Sequence, residues 1–154
     1  MYTILLTLHS LSRWLVLIAA VYAICRAVKG LLKKSDWAKQ DDRAGMFFTS
    51  MVDIQLLLGL ILYFFVSPIT TSALQDFAGA MVNAGTRYFA VEHTSMMLIG
   101  LILAHIGRAL SKKGNTDRQK HLRAATWFLI ALIIILAAIP WPFMSAGRPL
   151  FRFG

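Results

Sequence analysis

The sequence contains a single cysteine, Cys25, among its 154 residues. One cysteine excludes an intrachain disulfide, and because no C-x-x-C-H motif is present it also excludes a covalently attached c-type haem. The chain also lacks a P-loop, a glycine-rich nucleotide fingerprint, a hydrolase nucleophile elbow and an internal repeat. Because these motifs are absent, the sequence does not indicate a nucleotide-binding enzyme, a hydrolase or a repeat protein.

Apolar residues dominate the chain instead. They make up 58% of it, and the mean hydropathy is +0.64, which is too apolar for a soluble domain of this length. Four segments, roughly 4–25, 46–66, 88–108 and 124–144, approach the length of about 20 residues that crosses a bilayer as a helix. We predict an all-α integral membrane four-helix bundle that forms one domain over 1–154. Arg13 interrupts the first segment and no basic stretch precedes it, so we expect it to be a retained helix rather than a cleaved signal peptide.

The basic residues are distributed unevenly, and their placement predicts a topology. The net charge is +9, and most of the 16 Lys and Arg fall between the first and second or between the third and fourth segments. These loop residues are Arg26, Lys29, Lys33, Lys34, Lys39, Arg43, Arg108, Lys112, Lys113, Arg118, Lys120 and Arg123. Three others, Arg87, Arg148 and Arg152, lie on the opposite side. The positive-inside rule therefore predicts a multi-pass protein of the cytoplasmic membrane with both termini outside. Anionic lipid headgroups are the expected partners of the loops, and nucleic acid is not.

The connection between the second and third segments has a helical pattern of its own. Apolar residues recur at Leu74, Phe77, Ala78, Met81 and Val82, which lie on one face of a helix. Ser72 and Gln75 have the spacing of a capping box, and Gly85 could end the helix. We predict a short amphipathic helix in this external loop, with an irregular loop as the alternative. The second segment should end at Ser67-Pro68, and Pro140 and Pro142 should end or kink the fourth.

Two histidines, His9 and His93, provide the best indication of function. They lie at similar depths in the first and third segments, which run in the same direction, and an ionisable side chain in hydrocarbon usually has a partner or a function. Two neutral imidazoles on facing helices could be the axial ligands of one b-type haem. Gly100 would leave room for the macrocycle, and Arg13 and Arg87 could bind its propionates. The alternative interpretation is structural, with both imidazoles hydrogen-bonded between helices.

The other polar residues of the spans allow several pairings. His105 and His121 could form a second haem site, but His105 is rotated about 120° from the face of His93, and a solvated His121 is the ordinary expectation, so a second haem is not predicted. We expect His105 to pair with Asp53 instead. Arg13 is predicted to pair with Glu92, on depth alone. Glu92 and Asp53 could carry protons, although contacts between helices are the simpler interpretation.

Four sequence stretches, LHSLSRW, DIQLLLGLILYF, RYFAVEHTSMMLIG and IPWPF…GRPLF, resemble a group of small four-helix membrane proteins of Bacteroidetes that are catalogued as cytochrome b-like. The resemblance extends over most of the chain. In that group histidines stand at the positions of His9 and His93, so the resemblance implies haem binding at these two residues.

The sequence thus leads to an expected function with two alternatives. We expect a cytochrome with one b-type haem between His9 and His93 that transfers electrons from quinol or a membrane redox partner to an external acceptor. The first alternative is a non-catalytic accessory subunit of a larger membrane complex. The second is a small proton or solute carrier that uses Glu92, Arg13 and Asp53.

Overall fold

The computed structural model describes residues 1–151, which are mainly helical and contain no β-strand. Arg152, which the charge pattern places with the termini, lies outside the described residues. The helices are α1 (Tyr2–Lys33), α2 (Lys39–Ile61), α3 (Pro68–Gln75), α4 (Phe77–Val82), α5 (Ala84–Arg87), α6 (His93–Lys112) and α7 (Asp117–Ala138). Two π-helical turns, Leu62–Val66 and Tyr88–Glu92, extend α2 and join α5 to α6.

Within residues 1–151, four continuous helices are long and apolar enough to cross a membrane, which confirms the predicted membrane bundle. They are Tyr2–Lys33, Lys39–Val66, Ala84–Lys112 and Asp117–Ala138. The first is longer than predicted and ends where Lys34 adopts a left-handed conformation (φ 52°). The fourth begins at Asp117, capped by the Thr116 hydroxyl, and ends at Ala138 rather than near residue 144. Pro140 and Pro142 follow directly, and neither has an amide hydrogen to continue a helix.

The four spans form a closed ring in the order α1, α2, α6, α7, in which each helix packs against the next and α7 packs against α1. Helices α1 and α6 are therefore diagonally opposite. Many of the buried side chains are alanines, such as Ala20, Ala104 and Ala131, and small residues allow membrane helices to approach closely. Phe48 and Phe128 fill the centre with their rings edge to face, 5.4 Å apart.

The bundle has two ends that differ in charge. We call the end with Met1 and residues 139–151 the terminal end, and the end with the connections 34–38 and 113–116 the basic end. At the basic end, Asp41 accepts hydrogen bonds from the Arg26 guanidinium and the Ala38 amide, so one carboxylate joins α1 to the start of α2. Both π-helical turns lie at the terminal end, and such turns occur frequently at functional sites.

The predicted helical structure in the external loop is confirmed, but its bounds and caps differ from the prediction. Pro68 begins α3, since proline is favoured at the first position of a helix, and Ser72 lies inside that helix with its hydroxyl donating to the Ile69 carbonyl. The helix is interrupted at Asp76, whose side chain caps α4 by accepting a hydrogen bond from the Gly79 amide. Gly85 does not end a helix but lies within α5. The connection therefore consists of two short helices that turn over the terminal end. The predicted end of the second span at Ser67-Pro68 is confirmed.

A candidate site between His9 and His93

The structure brings His9 and His93 together inside the bundle. Their ring centroids are 6.3 Å apart, and the ring planes are inclined at 71°. His9 comes from the first part of α1 and His93 from the start of α6, so the pair bridges the diagonal of the bundle near its terminal end. Equal depth could be predicted from the sequence, whereas the facing of the two rings depends on the rotation of each helix about its axis.

The end of α7 orients the His93 ring. Its Nδ1 lies 2.7 Å from the Ala138 carbonyl oxygen, which also accepts a 2.9 Å hydrogen bond from the Tyr88 hydroxyl. This carbonyl is available because α7 ends there, and the last carbonyls of a helix have no partner within it. A carbonyl oxygen can only accept, so the proton of a neutral His93 ring is on Nδ1. The Nε2 atom then keeps its lone pair.

The His9 ring is held less firmly by hydrogen bonds. Its Nδ1 is buried and has no hydrogen-bond partner among the described residues. The backbone of His9 is fixed instead, because the Gln55 side-chain amide donates to its carbonyl oxygen at 2.9 Å and the Ser12 hydroxyl contacts Gln55. Gly59 of α2 faces the ring, and a Cβ atom at that position would lie 3.3 Å from His9 Cε1. The absence of a side chain at Gly59 therefore gives the imidazole its place.

A partly open cavity of about 180 Å³ lies beside the two rings. Its wall is mostly apolar and is formed by the four spanning helices with their two π-helical turns, by α3 and by the chain that follows α7. Besides the two histidines, its lining includes Arg13, Gly59, Thr94, Met97, Ile139 and Arg148. The site therefore combines two imidazoles and two cationic side chains in apolar surroundings.

The chain after α7, residues 139–151, folds back over this cavity, and we call it the tail. Arg13, which is only 8% exposed, donates to the Leu150 carbonyl at 2.6 Å, and the Trp14 indole donates to the same oxygen at 3.2 Å. The Trp14 ring also stacks on Phe151, with 5.2 Å between centroids. Arg148 lies over the Phe89 ring, 4.9 Å from its centroid. Two neighbouring residues of α1 therefore hold the end of the tail.

The predicted accessory residues lie in different surroundings. Arg13 lines the cavity, whereas Arg87 is half-exposed outside it and forms a 2.9 Å ion pair with Glu92. The predicted pairing of Arg13 with Glu92 is therefore wrong, because residues at equal depth can point in different directions. Gly100 does not line the cavity but packs on α7, where an added Cβ would lie 2.8 Å from Ile135. The absence of a side chain at Gly100 therefore allows α6 and α7 to pack closely and does not make room for a ligand.

The two histidines nearer the basic end are separate from this site and from each other. His105 pairs with Asp53 at 2.8 Å, as predicted. The prediction of a solvated His121 is wrong, since this residue is 1% exposed. Its ring packs against Gly30 of α1 and lies 4.9 Å from the Trp37 ring, and neither ring nitrogen has a partner among the described residues. The sequence around His121 is polar, but the glycine opposite it creates a buried space.

Several residues of the site could not be predicted from the sequence. Arg148 was assigned only to the terminal side, and its place on the cavity follows from the fold of the tail. Gln55 lies in the second span, and its bond to the His9 backbone could not be predicted because it depends on helix rotation. Gly59 carries no signal in a single sequence that separates it from other glycines of the spans.

Comparison with known proteins adds no assignment, since no family model, curated protein or solved structure matches the chain. Within residues 1–151, no three or more His, Cys, Asp or Glu side chains are grouped so that they could hold a metal ion. The donor set at the cavity consists of two imidazoles. Two axial ligands are sufficient for a haem, because the porphyrin supplies the other four nitrogens.

Proposed function

We propose that the protein is a b-type cytochrome that holds one haem between His9 and His93 and transfers electrons within a membrane. The separation of the two rings supports this proposal most directly. With nitrogen–metal distances of about 2.0 Å, two imidazoles on opposite sides of one metal ion have ring centroids about 6 Å apart. The separation of His9 and His93 is 6.3 Å.

The hydrogen bond from His93 to the end of α7 supports the same proposal. A metal-binding histidine typically donates its other ring N–H to a carbonyl or carboxylate, which fixes its orientation and makes it a better ligand. His93 has this arrangement, with Ala138 as the acceptor. His9 would contribute the second nitrogen, positioned by Gln55 through the backbone and by the space at Gly59.

The wall of the cavity suits an anionic ligand with a large apolar surface. The cations Arg13 and Arg148 line it, and we assign to them the propionates of the haem. The cavity of about 180 Å³ is below the roughly 300–1,000 Å³ usual for ligand pockets. We therefore expect the tail to move outward when haem binds, since the tail, like Ile69 and Thr70 of α3, belongs to no spanning helix. When bound, the iron would accept and release one electron at a time.

The surroundings of the site suggest a route for electrons. By the positive-inside rule, the basic end would face the cytoplasm. The terminal end, which carries both termini, would lie on the outer side of the cytoplasmic membrane. The His9–His93 pair would then lie near the outer face. A quinol or a membrane redox partner would be the electron donor and an external protein the acceptor, and the chain could also work as a subunit of a larger complex.

A difference spectrum tests the proposal. The protein is expressed with ample haem and purified in detergent, and the reduced-minus-oxidised spectrum is recorded. We expect a b-type band that is absent in His9→Gly and His93→Gly and that returns when free imidazole is added. His105→Gln is the matched control, because this histidine lies outside the cavity, and its band should remain.

Other outcomes would favour the alternatives. A colourless wild-type protein under these conditions overturns the cytochrome proposal. Colourless protein that is stable only with other chains would indicate an accessory subunit. Transport in liposomes without pigment would indicate a carrier, for which the structure offers Asp53 with His105 and Glu92 with Arg87 as separate pairs.

A further inference from the structure

The Asp53–His105 pair lies on the outer surface of the bundle, away from the cavity between His9 and His93. Asp53 is near the middle of the span Lys39–Val66, and His105 is in the half of Ala84–Lys112 towards the basic end. The two side chains meet at 2.8 Å across the seam of α2 and α6, yet they are 48% and 46% exposed. A hydrogen-bonded polar pair is therefore presented towards lipid rather than buried between helices.

Towards the terminal end, the neighbours of the pair on this surface are apolar. Leu57 follows Asp53 by one turn of α2, and Ile102 and Leu98 precede His105 by one and two turns of α6. All three are exposed hydrophobic residues. Polar groups in hydrocarbon are costly, and those in membrane helices usually face the interior or mark a functional site. The pair thus forms a polar spot that borders an apolar surface towards the terminal end, whereas Arg108 follows His105 by one turn towards the basic end.

The pair also keeps unused hydrogen-bonding capacity. His105 uses Nε2 and Asp53 uses Oδ1, and no described residue bonds to the second ring nitrogen or the second carboxylate oxygen. The nearest charged groups along the seam lie beside one another, since Asp42 is 3.3 Å from Lys112 and 3.8 Å from Arg108. The described ion pairs join these two cations to Asp42 and not to Asp53.

We propose that the Asp53–His105 pair binds the hydroquinone head group of a membrane quinol. We assign to this pair the tautomer in which His105 Nε2–H donates to the Asp53 carboxylate, so that Nδ1 and the second carboxylate oxygen are both acceptors. The ligand must therefore donate hydrogen bonds, and it must reach the site through lipid. A quinol has phenolic O–H donors, and its flat ring and isoprenoid tail suit the flanking Leu57 and Ile102 surface. The oxidised quinone has only carbonyl acceptors, so it binds more weakly.

This inference deepens the proposed function, because it names the electron donor and the place where that donor binds, and only the fate of the electrons rests on the haem. Binding itself requires no pigment. The polar spot consists of only two side chains, and this small size matches a small head group. A partner helix satisfies its own backbone groups and would need a polar side chain at the matching depth.

The experiment measures quinol retention by the full chain in nanodiscs of zwitterionic lipid. Decylubiquinol is partitioned between discs with and without protein and is quantified by chromatography. We expect about one quinol per wild-type chain, and affinity about tenfold or more lower for Asp53→Asn and His105→Gln, as for a lost hydrogen bond to a charged group. Oxidised decylubiquinone should bind wild type more weakly by a similar factor.

The matched control is Asp42→Asn, which makes the same change in the same helix, at a carboxylate that also contacts α6 near the basic end. Its quinol affinity should stay within about twofold of wild type, because exposed ion pairs contribute little. Equal affinity in all variants overturns the inference. Native mass spectrometry could also overturn it. If the wild type is a dimer or carries another protein while Asp53→Asn is monomeric, the pair is a contact between chains.

The two proposals fail separately. If the protein is colourless but Asp53→Asn still loses quinol, the quinol site stands and the cytochrome proposal fails. If pigment is present and both Asp53 and His105 variants bind quinol like wild type, only the quinol site fails.

Discussion

Adding a methyl group at Gly30 should reveal how tightly α1 and α7 pack at the basic end. A Cβ atom there would overlap the His121 ring, with its ideal position in contact with Cε1, Nδ1 and Nε2. The ring has no room to yield, because His121 is 1% exposed and packs against Trp37 on another side. Gly30→Ala must therefore force the two helices apart or push the imidazole out of its rotamer.

Two opposing effects determine the magnitude. Overpacking of a buried contact costs about 1–3 kcal/mol, and the severity of this overlap places Gly30→Ala near the upper part of that range. Alanine recovers about 1 kcal/mol through its higher helix propensity. We expect a net loss of roughly 1–2 kcal/mol. When His121→Ala removes the ring, only the propensity gain remains, so Gly30→Ala should then stabilise the protein by about 1 kcal/mol.

Reversible unfolding in mixed micelles with increasing SDS, followed by circular dichroism, gives the free energies of the wild type, both single variants and the double variant. The expected coupling between the two sites is about 2–3 kcal/mol, since it equals the overpacking cost in the upper part of its range. Gly85→Ala is a suitable control, because a Cβ there would be at ordinary distance, 3.4 Å, from Asn83. If Gly30→Ala and His121→Ala are additive, the packing described for this end of the bundle is refuted.

Three further substitutions test contacts at other places by the same unfolding assay. Asp41→Ala removes both the helix cap and the bond to Arg26, and we expect a loss of about 2 kcal/mol; a loss below about 0.5 kcal/mol would show that the cap is unimportant. Tyr88→Phe deletes one of the two donors to the last carbonyl of α7 and should cost about 1 kcal/mol, so an unchanged stability would contradict this bond. Glu92→Gln breaks a half-exposed pair with Arg87 and should change stability by less than about 0.5 kcal/mol and leave any pigment intact, and loss of pigment would place this pair in the site.

The spans could be predicted from composition because hydropathy reports directly on which segments are long and apolar enough for a bilayer. The residues at which the helices begin and end were harder to predict. Helix α1 runs beyond its apolar stretch to Lys33, since basic residues are good helix formers and part of the added length packs on α7. In the loop, the Ser72 capping pattern competed with Pro68, and the proline, which cannot continue the preceding ladder, started the helix earlier.

The site was predictable in depth but not in direction. Counting along each segment placed His9 and His93 at one level and paired His105 with Asp53 across α2 and α6. The same counting paired Arg13 with Glu92, which the structure separates, because a single sequence does not fix how each helix is rotated. The burial of His121 depends on Gly30, which is far away in sequence, and no local pattern reveals such a partner.

The attachment of the tail to Arg13 and Trp14 has a practical consequence for anyone who purifies the protein. An affinity handle fused after residue 154 would pull on the same short stretch whose Leu150 carbonyl those two side chains hold. The colour of such a fusion would therefore depend on whether the tail still covers the cavity. A handle in the connection 113–116, at the far end of the molecule, would leave the tail in place.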